Sequence, residues 1–177
     1  MINIIGNAIG AKTGGGAAAN LAFEFTVDTT QSGTSAADQF TIPITSATPY
    51  DISTSDGHNI TGATGATTLT FSAPGTYTVK IKDSCEGWQF NNGGDKLKLL
   101  NISNWGVFTS TVERAFLGCS NMTCSAIEPP LNPQLTCRNI FENCVNFNGA
   151  IGNWDVSSVT DFSFCFNGCS SFDQNIS

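Results

Sequence analysis

The stretch from residue 141 to residue 177 reads FENCVNFNGAIGNWDVSSVTDFSFCFNGCSSFDQNIS, and its apolar residues repeat at a fixed spacing. Four sets keep a spacing of 25 residues: Phe116, Phe141 and Phe166; Cys119, Cys144 and Cys169; Met122, Phe147 and Phe172; and Val112, Cys137 and Phe162. Ile102, Ile127, Ile151 and Ile176 follow at intervals of 25, 24 and 25. A period of this length is typical of solenoids, in which equivalent residues of successive units stack into a continuous core.

Upstream of the repeats, from residue 21 to residue 83, apolar and polar residues alternate. The segments concerned are Phe23–Val27, Phe40–Ile44, Thr67–Phe71 and Tyr77–Ile81. Alternation with a period of two predicts half-buried strands. Ser55-Asp56-Gly57 and Ala73-Pro74-Gly75 supply turns. Short strands with no helical segment between them predict two stacked antiparallel sheets.

Two stretches also resemble known families. The segment TLTFSAPGTYTVKI at 68–81, together with the turn at 55–57, resembles the PKD-type immunoglobulin-like domain. The segments FENCVNFNGAIGNWDVSSVT and FNGCSSFDQNIS within 141–177 resemble the BspA-type leucine-rich repeat. These resemblances imply a mainly β chain, with an immunoglobulin-like β-sandwich followed by a short leucine-rich-repeat solenoid. The second family occurs on bacterial surface proteins, adhesins and some phage-encoded proteins.

The predicted organisation has four parts. Residues 1–20, which end in TGGGAAAN, form a flexible arm because small residues do not offset their own ordering entropy. Residues 21–83 form the immunoglobulin-like β-sandwich and residues 101–177 the repeats. Residues 84–100 between them are predicted to be a linker with a strand that caps the first repeat, since a solenoid needs its end shielded from water.

Charge and hydropathy exclude some classes of function. Seven Lys and Arg against 14 Asp and Glu give a net charge of −7, which disfavours nucleic acid because its binding depends on cationic side chains. No apolar run approaches the roughly 20 residues of a membrane-spanning helix. The start MINIIGNAIG lacks the cationic and long apolar regions of a secretory signal, so we expect synthesis in the cytosol.

The seven cysteines are an odd number, so at least one thiol stays unpaired. Two alternatives remain open for the 25-residue cysteine series: a ladder of buried free thiols, or disulfides that form between repeats under oxidation. Zinc is disfavoured because no CxxC pair occurs and His58 is distant in sequence.

No catalytic, cofactor-binding or metal-ligating residues are predicted. His58 is interpreted as a surface turn residue, and Asp51 with Asp56 lack the dense acidic pattern of a calcium loop. Glu113, Glu128 and Glu142 stand at different positions in their repeats, which disfavours a glycosidase pair. The resemblance to BspA-type repeats implies that Trp105 and Trp154 are core residues rather than a glycan-binding platform.

The sequence therefore predicts a non-enzymatic structural or adhesion protein displayed on a surface. The favoured hypothesis is a bacteriophage virion component, such as a capsid decoration, head fibre or tail fibre. Residues 1–20 would bind other virion proteins, and the sandwich or the solenoid would bind a host surface protein or glycan. The alternative is a bacterial cell-surface leucine-rich-repeat adhesin. Homo-oligomerisation is left open.

Overall fold

The computed structural model describes residues 21–109, 111–130 and 136–176, and the predicted arm at 1–20 lies outside them. The described residues form strands β1 Phe23–Asp28, β2 Gln39–Ile42, β3 Tyr50–Thr54, β4 Asn59–Ala63, β5 Thr67–Thr70, β6 Thr76–Lys82, β7 Cys85–Glu86, β8 Leu99–Asn104, β9 Phe108–Thr109 and β10 Thr123–Cys124. Their only helical element is a 3-10 turn at Lys96–Lys98. The fold is mainly β, as predicted.

The main sheet has six strands in the order β10-β8-β1-β6-β3-β4. At its centre β1 pairs antiparallel with β6, in register from Phe23 opposite Ile81 to Asp28 opposite Thr76. Strand β1 alternates buried and half-buried residues along its whole length, which is the period-two pattern of its sequence. The four predicted strands are confirmed. Strands β3 and β4 were not predicted, and β4 has the mostly exposed sequence NITGA without an alternating apolar face.

Two small two-stranded sheets accompany the main sheet. Strands β2 and β5 are antiparallel, whereas β7 and β9 are parallel. The ring of Phe40 on β2 lies 5.9 Å from that of Phe25 on β1, and both side chains are fully buried. The indole of Trp88 fills the same core, with its ring 5.1 Å from Phe23 and 5.1 Å from Phe25. Aromatic packing thus joins the β2–β5 pair to the main sheet.

The segment 84–100, predicted as a linker with a capping strand, holds several short elements. It contains β7, a turn in which Asn91 and Asn92 have positive φ angles of 48° and 62°, the 3-10 turn and the start of β8. Strand β8 pairs with β1 on one side and with β10 on the other. The main sheet therefore continues from the N-terminal strands into the repeats.

The repeats meet through a parallel set of backbone hydrogen bonds. We define repeat 1 as residues 112–124, repeat 2 as 137–149 and repeat 3 as 162–174. The N–H groups of Arg114, Phe116 and Gly118 donate to the carbonyls of Arg138, Ile140 and Glu142, at N···O distances of 3.3, 2.9 and 2.8 Å. Those of Asn139, Phe141 and Asn143 donate to Ser163, Cys165 and Asn167, at 3.0, 3.1 and 2.7 Å. Each repeat thus donates to the next one in the chain.

Equivalent side chains stack along the same direction, as the 25-residue spacing predicted. The rings of Phe116 and Phe141 are 5.6 Å apart, and those of Phe141 and Phe166 are 5.7 Å apart. Phe147 stacks on Phe172 at 6.0 Å. Because one hydrophobic cluster includes these rings and the core of the main sheet, the repeats and the sheet share a core.

The repeats also share an unusual backbone conformation. Gly118, Asn143 and Gly168 hold equivalent positions and have φ angles of 79°, 59° and 76°. A Cβ atom on Gly118 would overlap the Asn92 side chain, and one on Gly168 would overlap the Asn143 side chain. Left-handed backbone is tolerated best by Gly and Asn. The alternation of Asn and Gly along the stack therefore allows the positive φ angles and avoids steric overlap between neighbouring repeats.

We expect Gly118→Ala to lower the free energy of unfolding by more than Gly57→Ala. Both glycines have positive φ, but a Cβ on Gly57 has nothing within 4 Å. Gly57→Ala should cost about 1–2 kcal/mol through backbone strain alone, and steric overlap should add about 1–3 kcal/mol at Gly118. Urea unfolding of both variants measures this difference. Equal losses would show that packing between repeats tolerates the extra atom.

A buried polar network fastens the loop before β2 to the segment before β8. Asp95 and Lys98 are both 1% exposed. The Asp95 carboxylate accepts hydrogen bonds from the Thr34, Ser35 and Thr41 N–H groups at 2.9, 3.0 and 2.7 Å, and from the Ser35 hydroxyl at 2.6 Å. The Lys98 ammonium donates to the Ser35 hydroxyl and to the carbonyls of Ser35, Ala36 and Gln39 at 2.7–3.1 Å. The network satisfies both buried charges.

The Asp95 carboxyl makes the stability that this network contributes depend on pH. Burial by itself raises the pKa of Asp95, but the hydrogen bonds from Ser35 and Thr41 and the Lys98 ammonium outweigh it, so the pKa lies below its ordinary value. A carboxyl with a depressed folded-state pKa stabilises the fold above its unfolded-state pKa, about 4. That stabilisation is lost as the pH falls through the folded-state pKa.

We therefore expect Asp95→Asn to destabilise the protein at pH 7 by about 3 kcal/mol or more, because it leaves Lys98 buried without a counter-charge. Below pH 4 the difference from the unmodified protein should shrink. Thermal unfolding between pH 2.5 and pH 7 measures both effects. Asp83→Asn is the matched control, since Asp83 is exposed. A similar loss in the control would assign the effect to net charge instead of to the network.

Candidate interaction surface

Repeat 3 is the third of the hydrogen-bonded repeats among the described residues. By the 25-residue register, its donors are the N–H groups of Phe164, Phe166 and Gly168. Among the described residues, none accepts a hydrogen bond from these three groups. Phe162, Phe164 and Ile176 are 47%, 60% and 60% exposed. We call these five residues the open face.

A cavity of about 260 Å³ lies between the open face and repeat 2. It is lined by Cys137, Ile140, Phe141, Ile151, Gly152, Trp154, Val156, Phe162, Cys165, Phe166 and Ile176. This lining is almost wholly apolar and carries no charged side chain. Small-molecule sites usually occupy about 300–1,000 Å³ and include placed polar groups. The cavity suits apolar side chains better than a polar ligand.

Phe164 is unusual for its backbone conformation. Its φ angle is 58°, and the equivalent residues Arg114 and Asn139 have φ angles of 63° and 55°. The two earlier repeats thus place polar side chains where repeat 3 places an exposed aromatic one. A bulky residue in left-handed backbone is strained, and such strain concentrates at functional sites. Phe164 therefore marks the open face as a candidate interaction surface.

All seven cysteines are free thiols in this structure, and six are buried. Within the 25-residue series, the Cys144 thiol donates to the Phe116 carbonyl at 3.0 Å, and the Cys169 thiol donates to the Phe141 carbonyl at 2.9 Å. Of the two alternatives left open by the sequence, the structure holds the ladder of free thiols.

A second thiol pair faces the cavity. Cys137 and Cys165 both line it, and each thiol shifts the pKa of the other. The hydrogen bond from Cys165 lowers the pKa of Cys137 despite its burial. The hydrogen bond to Cys137, burial and neighbouring thiols raise the pKa of Cys165. Of the two thiols, Cys137 is therefore the one that loses its proton at the lower pH.

We expect Cys137 to be the thiol most readily alkylated at pH 8. The thiolate is the reactive form of cysteine, and burial raises the pKa of the half-exposed Cys124 to about 11. Timed iodoacetamide labelling between pH 7 and pH 10, followed by peptide mass spectrometry, measures the order. Cys165→Ser tests the cause, because a hydroxyl in place of the thiol alters the hydrogen bond to Cys137. Faster labelling of Cys124 would contradict the assignment.

Other candidate residues from the sequence lie away from the open face. His58 sits in an exposed turn, with Nδ1 3.0 Å from Asp56 Oδ2, and Asp51 accepts a hydrogen bond from the Gly62 N–H. The interpretation of His58 as a surface turn residue is confirmed. No group of three His, Cys, Asp or Glu in the described part of the chain is placed to hold a metal ion.

The carboxylates and tryptophans of the repeats have separate surroundings. Glu113 faces Arg138 at 3.7 Å, and Glu142 accepts hydrogen bonds from the Asn139 and Asn167 amides. Trp105 and Trp154 are buried with their rings 5.0 Å apart, which confirms them as core residues. Over the described ranges, no helix is long and apolar enough to cross a bilayer.

The described residues define a mainly β fold, and the third of their repeats carries exposed apolar side chains. Residues 110–177, less than half of the chain, match a family described as "Mycoplasma protein of unknown function, DUF285". No curated protein and no solved structure matches the chain.

The match corrects the family resemblances drawn from the sequence. The family found over 110–177 is DUF285, so the identification as BspA-type leucine-rich repeats is wrong, and nothing supports a PKD-type domain. The residues behind these resemblances have local or general roles. Phe141 and Phe166 stack on each other because they are 25 residues apart in the repeats. Tyr77 packs on Phe71, with the two rings 4.0 Å apart. Such residues are needed for packing and for turns in many proteins, so they do not identify a family.

Sequence reasoning missed the open face itself. The signal was available at the repeat position that holds Arg114 and Asn139, because Phe164 replaces a polar residue with an aromatic one there. A comparison of the polar positions between repeats would have found it.

Proposed function

We propose that this protein is a non-enzymatic structural or adhesion protein displayed on a surface. In this proposal the N-terminal strands are an immunoglobulin-like sandwich and the repeats are a short solenoid that extends it. The open face carries the proposal, because it combines exposed aromatic side chains, open backbone donors and an apolar cavity. Exposed apolar patches of this kind are typical of protein interaction sites.

The setting that we favour is a bacteriophage virion, as a capsid decoration, head fibre or tail fibre. Seven free thiols, of which six are buried, favour a protein that folds in a reducing cytoplasm. Virion proteins assemble there and reach the exterior when the cell lyses. In this setting residues 1–20 bind other virion proteins and the exposed domains bind a host surface protein or glycan.

A bacterial cell-surface adhesin is the second candidate. The observation in its favour is the match of residues 110–177 to a family described from Mycoplasma. Under this alternative the same open face would bind a host or neighbouring cell.

The two settings are separated by locating the protein. Particles and cell envelopes are purified from one culture of the source, and each is analysed by quantitative mass spectrometry. We expect peptides of this chain in the particles at a fixed ratio to the main structural protein, and labelling of intact particles by an antibody against residues 21–83. Enrichment in the envelopes with none in the particles would establish the adhesin alternative. Absence from both would overturn the display function.

A further inference from the structure

Two cysteines of neighbouring repeats come together outside the 25-residue series. Cys137 belongs to repeat 2 and Cys165 to repeat 3, and their exposed fractions are 3% and 4%. The Ile140 N–H donates to the Cys137 carbonyl at 3.3 Å, and the Phe141 N–H donates to the Cys165 carbonyl at 3.1 Å. Both cysteines therefore adjoin the same two residues of repeat 2, and their side chains line the same cavity. The pair uses residues of repeats 2 and 3 only, so it does not depend on what covers the outer side of repeat 3.

The two sulfur atoms of this pair differ in acidity. The hydrogen bond from Cys165 lowers the pKa of Cys137. The same contact, burial and the thiols of Cys169 and Cys144 raise the pKa of Cys165. Oxidation of a dithiol begins at a thiolate and is completed by a neighbouring thiol. Cys137 thus has the properties of the attacking sulfur, and Cys165 has those of the resolving sulfur.

The thiols of the 25-residue series are held differently. Those of Cys144 and Cys169 donate to carbonyls of the preceding repeat at 3.0 and 2.9 Å. Burial raises the pKa of Cys119 well above its ordinary value and that of Cys169 to about 11. Because the thiolate is the reactive form, these surroundings make the series less reactive than Cys137.

Metal binding is the other common use of neighbouring cysteines. A structural zinc site needs four ligands, usually Cys and His. Within residues 21–109, 111–130 and 136–176, no three His, Cys, Asp or Glu side chains are grouped to hold a metal ion. The pair is therefore better suited to oxidation than to metal binding.

The cavity beside the pair provides space for an oxidant. Its volume is about 260 Å³, and no charged side chain lines it. A water molecule occupies about 30 Å³ of liquid, so a molecule as small as hydrogen peroxide fits beside the two sulfur atoms. An apolar lining also favours a neutral oxidant over a charged one.

We propose that Cys137 and Cys165 are an oxidation site, at which a peroxide converts the two thiols to a disulfide between repeats 2 and 3. The Cys137 thiolate attacks one peroxide oxygen, the O–O bond breaks, and the other oxygen leaves as water after it takes up the proton that the thiol had lost. The Cys165 sulfur then attacks the sulfur of the sulfenic acid formed on Cys137, the S–O bond breaks, and a second water leaves with the Cys165 proton. Two thiols lose two electrons and two protons, and one hydrogen peroxide becomes two water molecules.

The disulfide joins positions 28 residues apart and fixes repeat 3 to repeat 2. A cross-link of this kind lowers the conformational entropy of the unfolded chain, so the oxidised protein is the more stable form. Its biological setting rests on the proposed function: the protein folds with reduced thiols in the cytoplasm and becomes cross-linked where it is displayed, in an oxidising exterior.

Oxidation of the full chain tests the proposal. The protein is reduced, freed of reductant and treated at pH 8 with one molar equivalent of hydrogen peroxide, and the remaining thiols are blocked with N-ethylmaleimide in denaturant. We expect the thiol count to fall by two from the seven free cysteines. Mass spectrometry of the unreduced digest should identify Cys137 and Cys165 as the cross-linked residues. The unfolding temperature should rise by roughly 5 °C or more and return to its first value when dithiothreitol is added.

Two variants give a matched comparison. Cys165→Ser removes the resolving sulfur, so no intramolecular cross-link should form and dimedone should instead trap the sulfenic acid on Cys137. Cys124→Ser changes a half-exposed thiol outside the pair and should leave the cross-link unchanged. The main measurement uses the unmodified chain, so it does not depend on how either variant folds.

The contrary results are specific. An unchanged thiol count, a cross-link between members of the 25-residue series, or a cross-link between two copies of the chain in non-reducing electrophoresis would each overturn the proposal. A lower unfolding temperature of the oxidised protein would overturn its stabilising role. Because the cross-link is measured on the purified chain, its failure is separable from failure of the proposed function, which the location experiment on particles and envelopes measures.

Discussion

A 25-residue repeat is too small to bury its own apolar face, and the structure is organised around that constraint. A column of stacked aromatic rings from successive repeats buries these faces against one another. The column begins in the sheet core, where Trp105 lies 6.0 Å from Phe23 and 5.8 Å from Phe116, and continues through Phe141 to Phe166. Full burial of a side chain of this size contributes about 1.5–3 kcal/mol. Each ring is buried only because the next unit covers it, so the sheet serves as the first layer of the stack.

The backbone of the repeats follows from the same stacking. Residues at two positions of each repeat have left-handed φ angles, which turn the N–H groups toward one neighbour and the carbonyls toward the other. This polarity makes every internal junction complementary. It also leaves repeat 3, the last one among the described residues, with donors and exposed aromatic rings on its outer side. The feature that joins the described repeats is therefore also the one that leaves donors on the outer side of repeat 3.

The thiols have contrasting surroundings within this stack. Cys144 and Cys169 donate hydrogen bonds to carbonyls of the preceding repeat, and burial raises the pKa of Cys169 to about 11. Cys137 and Cys165 instead face each other at the cavity. The sequence placed the first two in a regular series, but the second pair is separated by 28 residues and breaks the period. Only the offset between neighbouring repeats brings that pair together.

The sequence by itself determined the strands with period-two alternation and the register of the repeats. Both are local or nearest-neighbour properties, so residues two or 25 apart reveal them directly. The tertiary structure alone decided the rest. Asp95 and Lys98 meet residues 34–41, which lie roughly 60 positions away, and β8 joins β1 across more than 70. Such contacts produce no periodic pattern in the sequence, because they depend on how the strands of the sheet pack around the core.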